Sequence, residues 1–390
     1  MPVAHNIDHN SVKPAFMKLT PRHRPVSGLW SETMTSKDIQ MGPKAKQDLG
    51  GPEDAGPERK TAHVRLPKTE NCAYRTHGGA YYVGDSKKVL TSKPFKKLGG
   101  KVQLILTSPP YPLNEKKSYG NFTGEKYLKW IESLATVFSD LLSDDGSIVM
   151  ELGNSWEPNR PVQSLLALEA LLAFTKAEGA GLRLIQQFVC YNPSRLPSPA
   201  SWVTVRPLRT VDSFTHVWWL AKTDFPKADT RKVLRPYSDA MRSLLKRGSY
   251  KSGARPSEHH VSEKGFLRDR GGSIPHNFFE LDSMEPNRPV RLPNAFSLSN
   301  TASTDFFHRA CREQKIVPHP ARMPVGLASF FIEYLTDRGD LVLDPFGGSN
   351  TTGYAAALSS RRWVAIDAQK DYVEQSKLRF LDPLLSETTP

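Results

Sequence analysis

Seven short apolar runs, separated by helical patterns, constrain the fold of this chain more than any other feature. They read AYYVGD, KVQLILTS, GSIVMELG, LRLIQQFVCY, THVWWLAK, LVLDPF and WVAID, and the first begins at Ala80. Several are apolar almost throughout, which is typical of parallel strands that are covered on both faces. The sequence therefore predicts seven strands, most of them in one parallel sheet.

Helical patterns fill most of the intervals between these runs. Apolar residues recur at helical spacing in EKYLKWIESLATVFSDLL, PVQSLLALEALLAFTKA, VGLASFFIEYL and DYVEQSKLRFL. Such alternation of strand and helix indicates a doubly wound, Rossmann-like α/β fold. The fourth and fifth runs are joined by a loop without a helix, so we expect these two strands to form an antiparallel hairpin at an edge of the sheet.

Two stretches lack the alternation. Residues 1–70 mix Pro, Gly, Lys and Asp with little periodicity and are interpreted as a disordered or linker-like tail. From Lys227 to Arg270 there are 12 Lys or Arg against 5 Asp or Glu. A basic insert in an α/β core is a candidate DNA-reading segment, although a solvated loop is the alternative. The chain is thus expected to divide into the tail 1–70, a first half of the core 71–224, the basic insert 225–300 and a second half 301–390.

The overall composition favours a polyanionic partner. Lys and Arg number 53 against 40 Asp and Glu, which gives a formal charge of +13. Cys72, Cys190 and Cys311 lie far apart and form no CxxC pair, so neither a disulfide framework nor a metal site is expected. Because the sequence has no apolar signal segment and no run near the roughly 18 residues of a spanning helix, we expect a cytoplasmic protein without a membrane partner.

A glycine-rich turn follows one of the predicted strands. In LVLDPFGGSNTTG (341–353) an apolar strand and an acidic residue precede the turn, and a helix is expected to begin near Thr351. Gly347 and Gly348 lack Cβ, so the main chain can approach a ligand at the carboxyl end of the strand. The turn contains neither GKS or GKT nor GxGxxG, which favours a nucleoside-type cofactor without phosphates.

A second acidic residue suits the ribose of such a cofactor. Asp367 ends the run WVAID, 23 residues after Asp344. A carboxylate at this place can accept hydrogen bonds from both ribose hydroxyls. The alternative is a tight structural turn followed by an unrelated aspartate.

A proline-rich turn ends another predicted strand, in LILTSPPYPL (104–113). Pro109 and Pro110 fix φ and remove two backbone donors, which leaves nearby carbonyls without an internal partner. The Ser108 hydroxyl and the Pro109 carbonyl can accept hydrogen bonds from the N–H groups of an exocyclic base amine and so direct its lone pair at a methyl group. Tyr111 would stack on an extruded base. The alternative is a structural turn with Tyr111 as a rim aromatic.

Together, in the order TSPPY, basic insert, DPFGGSNTT, these segments resemble the β-class DNA amino-methyltransferases. The resemblance covers most of Ala80 to Phe380. It implies a seven-stranded, S-adenosylmethionine-dependent methyltransferase sheet with an antiparallel edge hairpin and an inserted target-recognition segment. It also implies that Ser108, Pro109, Pro110 and Tyr111 are catalytic. Serine at the start of the motif favours the cytosine-N4 branch, and adenine N6 is the alternative.

The resemblance also implies a set of cofactor contacts. Asp367 would bind the ribose and Asp85, in VGDS, the adenine end. The remaining contacts are expected in DPFGGS, at Asp344, Phe346, Gly347, Gly348 and Ser349, and in HPARMP, at His319 and Pro320. Asn350 stands where a third glycine is common. Because Asn tolerates left-handed backbone conformations, we expect the turn to be preserved.

The expected partner is double-stranded DNA, with a cognate restriction endonuclease as a further expectation and the oligomeric state left open. A catalytically silent DNA-binding protein and an RNA methyltransferase are the alternatives. A C5-cytosine mechanism is not favoured, because none of the three cysteines follows a proline. DNA contacts are expected from basic residues of the insert, namely Arg231, Lys232, Lys246, Arg247, Lys251 and Arg255.

Overall fold

One large, mostly parallel sheet organises the computed structural model, which describes residues 64–112, 122–281, 296–298, 305–319 and 322–387. Within these residues, ten strands join in the order β1-β2-β12-β11-β3-β4-β6-β5-β9-β10, and β7 and β8 form a separate ribbon. The strands are β1 (Cys72–Arg75), β2 (Gly79–Val83), β3 (Val102–Thr107), β4 (Leu142–Gly153), β5 (Arg183–Tyr191), β6 (Phe214–Ala221), β7 (Gly253–Ala254), β8 (His260–Val261), β9 (Phe278–Leu281), β10 (Phe296–Leu298), β11 (Leu341–Asp344) and β12 (Arg362–Asp367).

Helices cover both faces of the sheet. They are α1 (Ser86–Thr91), α2 (Lys93–Lys96), α3 (Gly124–Leu141), α4 (Leu166–Thr175), α5 (Asp239–Arg247), α6 (Phe306–Glu313), α7 (Val325–Leu335), α8 (Thr351–Leu358), α9 (Lys370–Ser376) and α10 (Leu384–Glu387). The described residues also form a π-helical turn (Ser201–Val205) and two 3-10 helices (Thr230–Val233 and Lys377–Leu381). Within the described ranges, no helix is long and apolar enough to cross a membrane.

All seven predicted strands are strands of this sheet, and the doubly wound α/β prediction is confirmed. β2, β12, β11, β3 and β4 are parallel neighbours. All six residues of β3 are buried, as expected for a strand that is covered on both faces. On one face α3 packs with α4, where the rings of Phe138 and Phe174 lie 5.9 Å apart. On the other face α7 and α8 bury Phe331 and Ala355 against the strands.

The predicted hairpin is present, but its place at the edge of the sheet was wrong. β5 and β6 pair antiparallel, as expected. β9 then pairs in parallel with the end of β5, and Phe279 stacks on Phe188 at 5.6 Å between ring centroids. With β1 added antiparallel to β2 and β10 beside β9, the sheet has ten strands in the described residues and not seven. The added strands have three or four residues, too few for a periodic pattern to predict them.

The predicted tail and insert fall partly outside the described residues. Residues 1–63 lie outside them, whereas Val64 and Leu66 pack against the core on the α3 face. The insert begins close to the core, because Val233 is buried among residues of the α7 face. It continues into α5, which is capped by Ser238 at its start and by Gly248, with a φ of +67°, after its last residue. The four segment boundaries stay predictions.

Candidate active site

The carboxyl ends of the parallel strands meet at one edge of the sheet and surround a cavity of about 260 Å³. The proline-rich turn follows β3, the glycine-rich turn follows β11, and Asp367 ends β12. Every predicted catalytic and cofactor-binding residue that the structure describes lines this cavity, namely Ser108, Pro109, Pro110, Tyr111, Asp85, His319, Asp344, Phe346, Gly347, Gly348, Ser349 and Asp367. Pro320 lies outside the described residues.

Close packing explains the two glycines of the turn after β11. A Cβ on Gly347 would lie 2.7 Å from the Tyr81 hydroxyl and 3.1 Å from the Cβ of Ala365. Gly348 has a φ of +48°, and its carbonyl accepts a hydrogen bond of 2.8 Å from Tyr81. Asn350 has a φ of +57°, and its side chain accepts a hydrogen bond from the amide of Gly353 at the start of α8. The expected left-handed conformation of Asn350 is therefore confirmed.

Asp344 joins the two turns. Its carboxylate accepts hydrogen bonds from Thr107 (2.8 Å), Thr352 (2.7 Å) and the amide of Phe346 (3.1 Å). Burial raises the pKa of this carboxyl to about 6, although these hydrogen bonds favour the charged form. Asp344 therefore fixes the glycine-rich turn against the end of β3, and a direct cofactor contact by its side chain stays a prediction.

Asp367 presents a half-buried carboxylate whose orientation is set by backbone amides. One oxygen accepts from the amide of Gly348 at 2.9 Å and the other from that of Gln369 at 2.8 Å. Burial raises the pKa of Asp367 above its ordinary value. Asp85 lies at the start of α1, where its side chain accepts from the amide of Lys88 at 2.9 Å. Asp85 is thus held by its own helix start, and Asp367 by its own turn together with the glycine-rich turn.

The proline-rich turn is held by its own side chains and by β4. A hydrogen bond joins Ser108 and the Tyr111 side chain, and burial raises the pKa of the Tyr111 hydroxyl well above its ordinary value. The ring lies against Gly153, where a Cβ would come within 2.5 Å of its Cε2 atom. The last residue of β4 thus has to be free of a side chain for Tyr111 to occupy this place. Stacking of Tyr111 on a base stays a prediction.

His319 lies opposite the glycine-rich turn. Its amide donates to the side chain of Gln375 at 2.9 Å, and its ring meets that of Tyr372 edge-on at 4.2 Å. Its Nε2 atom would lie 3.3 Å from a Cβ on Gly348. The structure therefore places His319 beside the turn that is predicted to bind the cofactor.

The sequence did not predict the aromatic wall of the cavity. The ring of Trp130 lies 5.5 Å from that of Phe346 and 5.8 Å from that of Phe122. Trp130 belongs to α3, and helical periodicity does not distinguish a core aromatic residue from one that lines a cavity. Arg322, Met323 and the buried Ser86 also line the cavity. They stand in HPARMP and VGDS, where only His319, Pro320 and Asp85 were predicted as contacts.

Glu151 was also missed, although an acidic residue inside the apolar run GSIVMELG was a signal. It is buried near the end of β4, where Thr215 donates to it at 3.0 Å. Burial raises its pKa to about 7, and its charge contributes to the raised pKa of Tyr111. Glu151 lines a second cavity of about 880 Å³, which shares Arg322 and Met323 with the first.

The six predicted DNA-binding residues lie apart from both cavities. Arg231 pairs with Asp229 at 2.9 Å, and Lys232 pairs with Asp337, which follows α7. The others lie in the last turn of α5 (Lys246 and Arg247) or next to the ribbon of β7 and β8 (Lys251 and Arg255). DNA contact by all six stays a prediction.

Comparison with known proteins agrees with this arrangement. The sequence model of the N6/N4 family, described as DNA methylase, matches residues 102–378. The type II methyltransferase M.PvuII of Proteus hauseri is 39% identical over 317 residues, which cover 81% of this chain and 87% of that protein. M.EcaI of Enterobacter cloacae is 25% identical over 297 residues, covering 69% and 62%. A solved structure described as PvuII DNA methyltransferase (cytosine-N4-specific) matches with a TM-score of 0.60 and 32% identity, covering 82% of this chain and 93% of the other.

Proposed function

Because this chain belongs to the N6/N4 DNA methylase family, we propose that it transfers a methyl group from S-adenosylmethionine to the N4 amine of a cytosine in duplex DNA. The observation that carries this proposal is the cavity of about 260 Å³ in which the TSPPY turn and the glycine-rich turn meet. A methyl donor held at the glycine-rich turn and a base amine held at the TSPPY turn would therefore lie within reaction distance of each other.

The residues at the glycine-rich wall fit S-adenosylmethionine. The two glycines leave the main chain open where side chains would fill the cradle, and no phosphate-binding motif is present in the turn. The half-buried Asp367 carboxylate suits ribose hydroxyls, and Asp85 lines the same cavity for the adenine end. When bound, the cofactor supplies an electrophilic methyl group on a sulfonium, which is a good leaving group.

The TSPPY wall suits an exocyclic amine. The Ser108 hydroxyl and the Pro109 carbonyl would accept hydrogen bonds from the two amine N–H groups, so that the nitrogen lone pair is directed at the methyl group. After transfer the methylated nitrogen is strongly acidic and loses one proton, so no strong base is needed. Positioning supplies most of the rate enhancement, because the leaving group needs no activation. The base would reach this wall by leaving the duplex stack and packing against Tyr111.

Two observations favour cytosine N4 over adenine N6. Serine, at Ser108, precedes the Pro-Pro-Tyr of the TSPPY turn, as is more frequent in the N4 branch. The solved structure at 32% identity is described as cytosine-N4-specific. A restriction-modification setting is proposed from the type II relatives, and a cognate endonuclease belongs to that proposal. A cytoplasmic location stays a prediction.

Transfer of a labelled methyl group tests the proposal and separates the two alternatives of other classes. The protein is incubated with labelled S-adenosylmethionine and with either duplex DNA or duplex RNA. Label in DNA is expected. Label only in RNA would identify an RNA methyltransferase. Binding of duplex DNA with neither cofactor binding nor transfer would indicate a silent DNA-binding protein.

Ser108→Ala and Tyr111→Phe provide matched variants for the same assay. Loss of the Ser108 hydroxyl should lower the transfer rate roughly 100-fold or more. Tyr111→Phe keeps the ring against Gly153 and removes only the hydrogen bond to Ser108, so it should cost less. Cofactor affinity should be unchanged in both variants, and a parallel loss of cofactor binding would contradict the assignment of these residues to the base.

A further inference from the structure

Arg195 lines the second cavity, of about 880 Å³, with part of its guanidinium unused. It lies in the turn after β5, and its Nη1 atom donates to the carbonyl of Phe214, at the start of β6, at 2.9 Å. Asp212 lies 3.9 Å from the same nitrogen, beyond hydrogen-bond distance. Within the described part of the chain, the other N–H donors of Arg195 have no hydrogen-bond acceptor.

Backbone hydrogen bonds fix the turn that carries Arg195. The amide of Asn192 donates to the carbonyl of Ser213 at 2.7 Å, and the amide of Arg195 donates to the carbonyl of Asn192 at 3.2 Å. The Asn192 side chain accepts from the amide of Ser194 at 3.0 Å. Because one side of its guanidinium is also held by Phe214, Arg195 presents its other donors from a fixed place and loses little conformational freedom when they bind a ligand.

The second cavity adjoins the wall that is proposed to hold the base. It shares two lining residues with the cavity of the TSPPY turn, and Glu151 in its lining lies two residues before Gly153, against which the Tyr111 ring packs. Burial raises the pKa of the Tyr111 hydroxyl most, the charge of Glu151 raises it further and that of Arg195 lowers it. Both charged groups thus lie within electrostatic reach of Tyr111. The Arg195 side chain is 30% exposed, so a ligand in the cavity can contact it.

The surroundings of Arg195 favour a neutral acceptor. A phosphate bound here would lie close to the Asp212 carboxylate, which would repel it. A carbonyl oxygen adds no charge and can accept hydrogen bonds from a guanidinium. Cytosine carries such a carbonyl, O2, on the same edge as its N4 amine, whereas adenine has a C–H group at the corresponding place beside its N6 amine.

We propose that Arg195 donates a hydrogen bond to the O2 carbonyl of the target cytosine and thereby distinguishes cytosine from adenine. The inference rests on the proposed function, since it takes an extruded cytosine as the substrate. With the N4 amine held at Ser108, the other end of the same base edge would extend into the second cavity. An adenine in this place would leave the guanidinium facing a C–H group, and a site built to donate a hydrogen bond disfavours a base that cannot accept it.

Replacement of the target base tests the contact. Once the methylated position in a duplex has been located, its cytosine is replaced by an aminopyridine C-nucleoside, which keeps the amine and the ring nitrogen beside it but lacks the O2 carbonyl. Affinity is measured with S-adenosylhomocysteine in place of the cofactor, so that no transfer occurs. The loss of affinity on replacement should be roughly tenfold or more larger in the wild type than in Arg195→Met, which has no donor. Equal losses in both proteins would overturn the proposal.

Adenine at the same position gives a second comparison in the same assay. The preference of the wild type for cytosine over adenine should fall roughly tenfold or more in Arg195→Met. Arg206→Met is the matched control, because Arg206 is exposed in the same loop, lies over the ring of Trp202 and does not line the cavity. It should keep the wild-type preference. An unchanged preference in Arg195→Met, or the same decrease in both variants, would overturn the proposal.

The salt dependence of DNA affinity separates a carbonyl from a phosphate. A neutral carbonyl releases no counterion, so the slope of log affinity against log salt should be the same in Arg195→Met and in the wild type. A slope smaller by about one unit would identify a phosphate contact and overturn the proposal.

Binding of S-adenosylmethionine shows whether Arg195→Met is folded. If it does not bind, the duplexes are measured with Arg195→Lys, which keeps the charge and a donor for the Phe214 carbonyl. Since lysine donates from a single nitrogen, the affinity lost with the O2 carbonyl should fall to less than half the wild-type value. An unchanged loss would overturn the proposal. Failure of the wild type to methylate cytosine in any duplex would instead count against the proposed function.

Discussion

At the scale of single residues, the backbone sets the orientation of the Asp367 carboxylate at the cavity. Two amides, from Gly348 and Gln369, fix its oxygens without neutralising its charge. The remaining lone pairs stay available at the cavity wall. Burial raises its pKa, so bonds to ribose hydroxyls would be made by a partly desolvated carboxylate and should be strong.

Asp367→Asn should therefore weaken binding of S-adenosylmethionine by roughly 1.5 to 3 kcal/mol, the value of charge-assisted hydrogen bonds. Asp371→Asn is the matched control, since Asp371 is exposed in the first turn of α9. Titration calorimetry measures both. Equal dissociation constants for wild type and Asp367→Asn would remove Asp367 from the cofactor site.

Glu151 gives a pH dependence with a definite sign. Burial raises its folded-state pKa to about 7 from an ordinary value of 4.5. Between these two values the folded state keeps a proton that the unfolded state has released, so stability falls as pH rises through this window. The shift corresponds to a loss of about 3 kcal/mol in the free energy of unfolding.

Glu151→Gln should remove this part of the pH dependence. Urea unfolding of both proteins at pH 5 and at pH 8 measures the free energy of unfolding, and the difference between the two proteins isolates Glu151 from the other titrating groups. The wild type should lose more stability than the variant on going to pH 8. The same loss in both would show that Glu151 is not held protonated by its surroundings.

The sequence predicted which residues line the cavity better than it predicted what each one contacts. Residues at the ends of parallel strands meet at one edge of the sheet, so motifs placed there could be grouped from the chain alone. The hydrogen bond from Thr107 to Asp344 and the contact of Tyr111 with Gly153 each join residues that are far apart in sequence. Both contacts also depend on how the side chains are oriented. No local pattern predicts such contacts, and Trp130 was missed for that reason.

At the scale of elements, length decided which strands were predicted. β3 and β4 are long and buried, and their apolar runs are distinct. β9 and β10 have four and three residues and extend the sheet beyond the predicted hairpin. Helix α7 begins and ends at the predicted residues because its apolar pattern is bounded by Pro324 and the turn before β11. Short edge strands are formed by pairing with an existing sheet more than by their own sequence.

The basic insert allows a prediction that compares two of its parts. Lys246 and Arg247 end α5 on an exposed surface, whereas Arg231 and Lys232 form ion pairs with Asp229 and Asp337. Replacing Lys246 and Arg247 with Gln should lower the slope of log DNA affinity against log salt by about one unit for each phosphate that is no longer bound. The same change at Arg231 and Lys232 should have a smaller effect, because their charges are already compensated. An unchanged slope for the first pair would remove α5 from the DNA interface.

At the scale of the whole molecule, composition and motif order supported the same conclusion as the fold. The charge of +13, the order of the two motifs and the basic insert between them are properties of the entire chain. They indicated the family that the match over residues 102–378 shows. The recognition sequence is not predicted in this way, because it depends on side-chain contacts with base edges that no general pattern encodes.

The identity of the methylated base tests the central proposal most directly. Duplex DNA is incubated with the protein and S-adenosylmethionine for a short, fixed time and digested to nucleosides. These are analysed by mass spectrometry against standards of the three methylated nucleosides found in DNA, with Ser108→Ala as the impaired control. We predict that N4-methyldeoxycytidine appears with the wild type and is strongly reduced in the control. N6-methyldeoxyadenosine or 5-methyldeoxycytidine in its place, or no methylated nucleoside although the cofactor binds, would contradict the proposal.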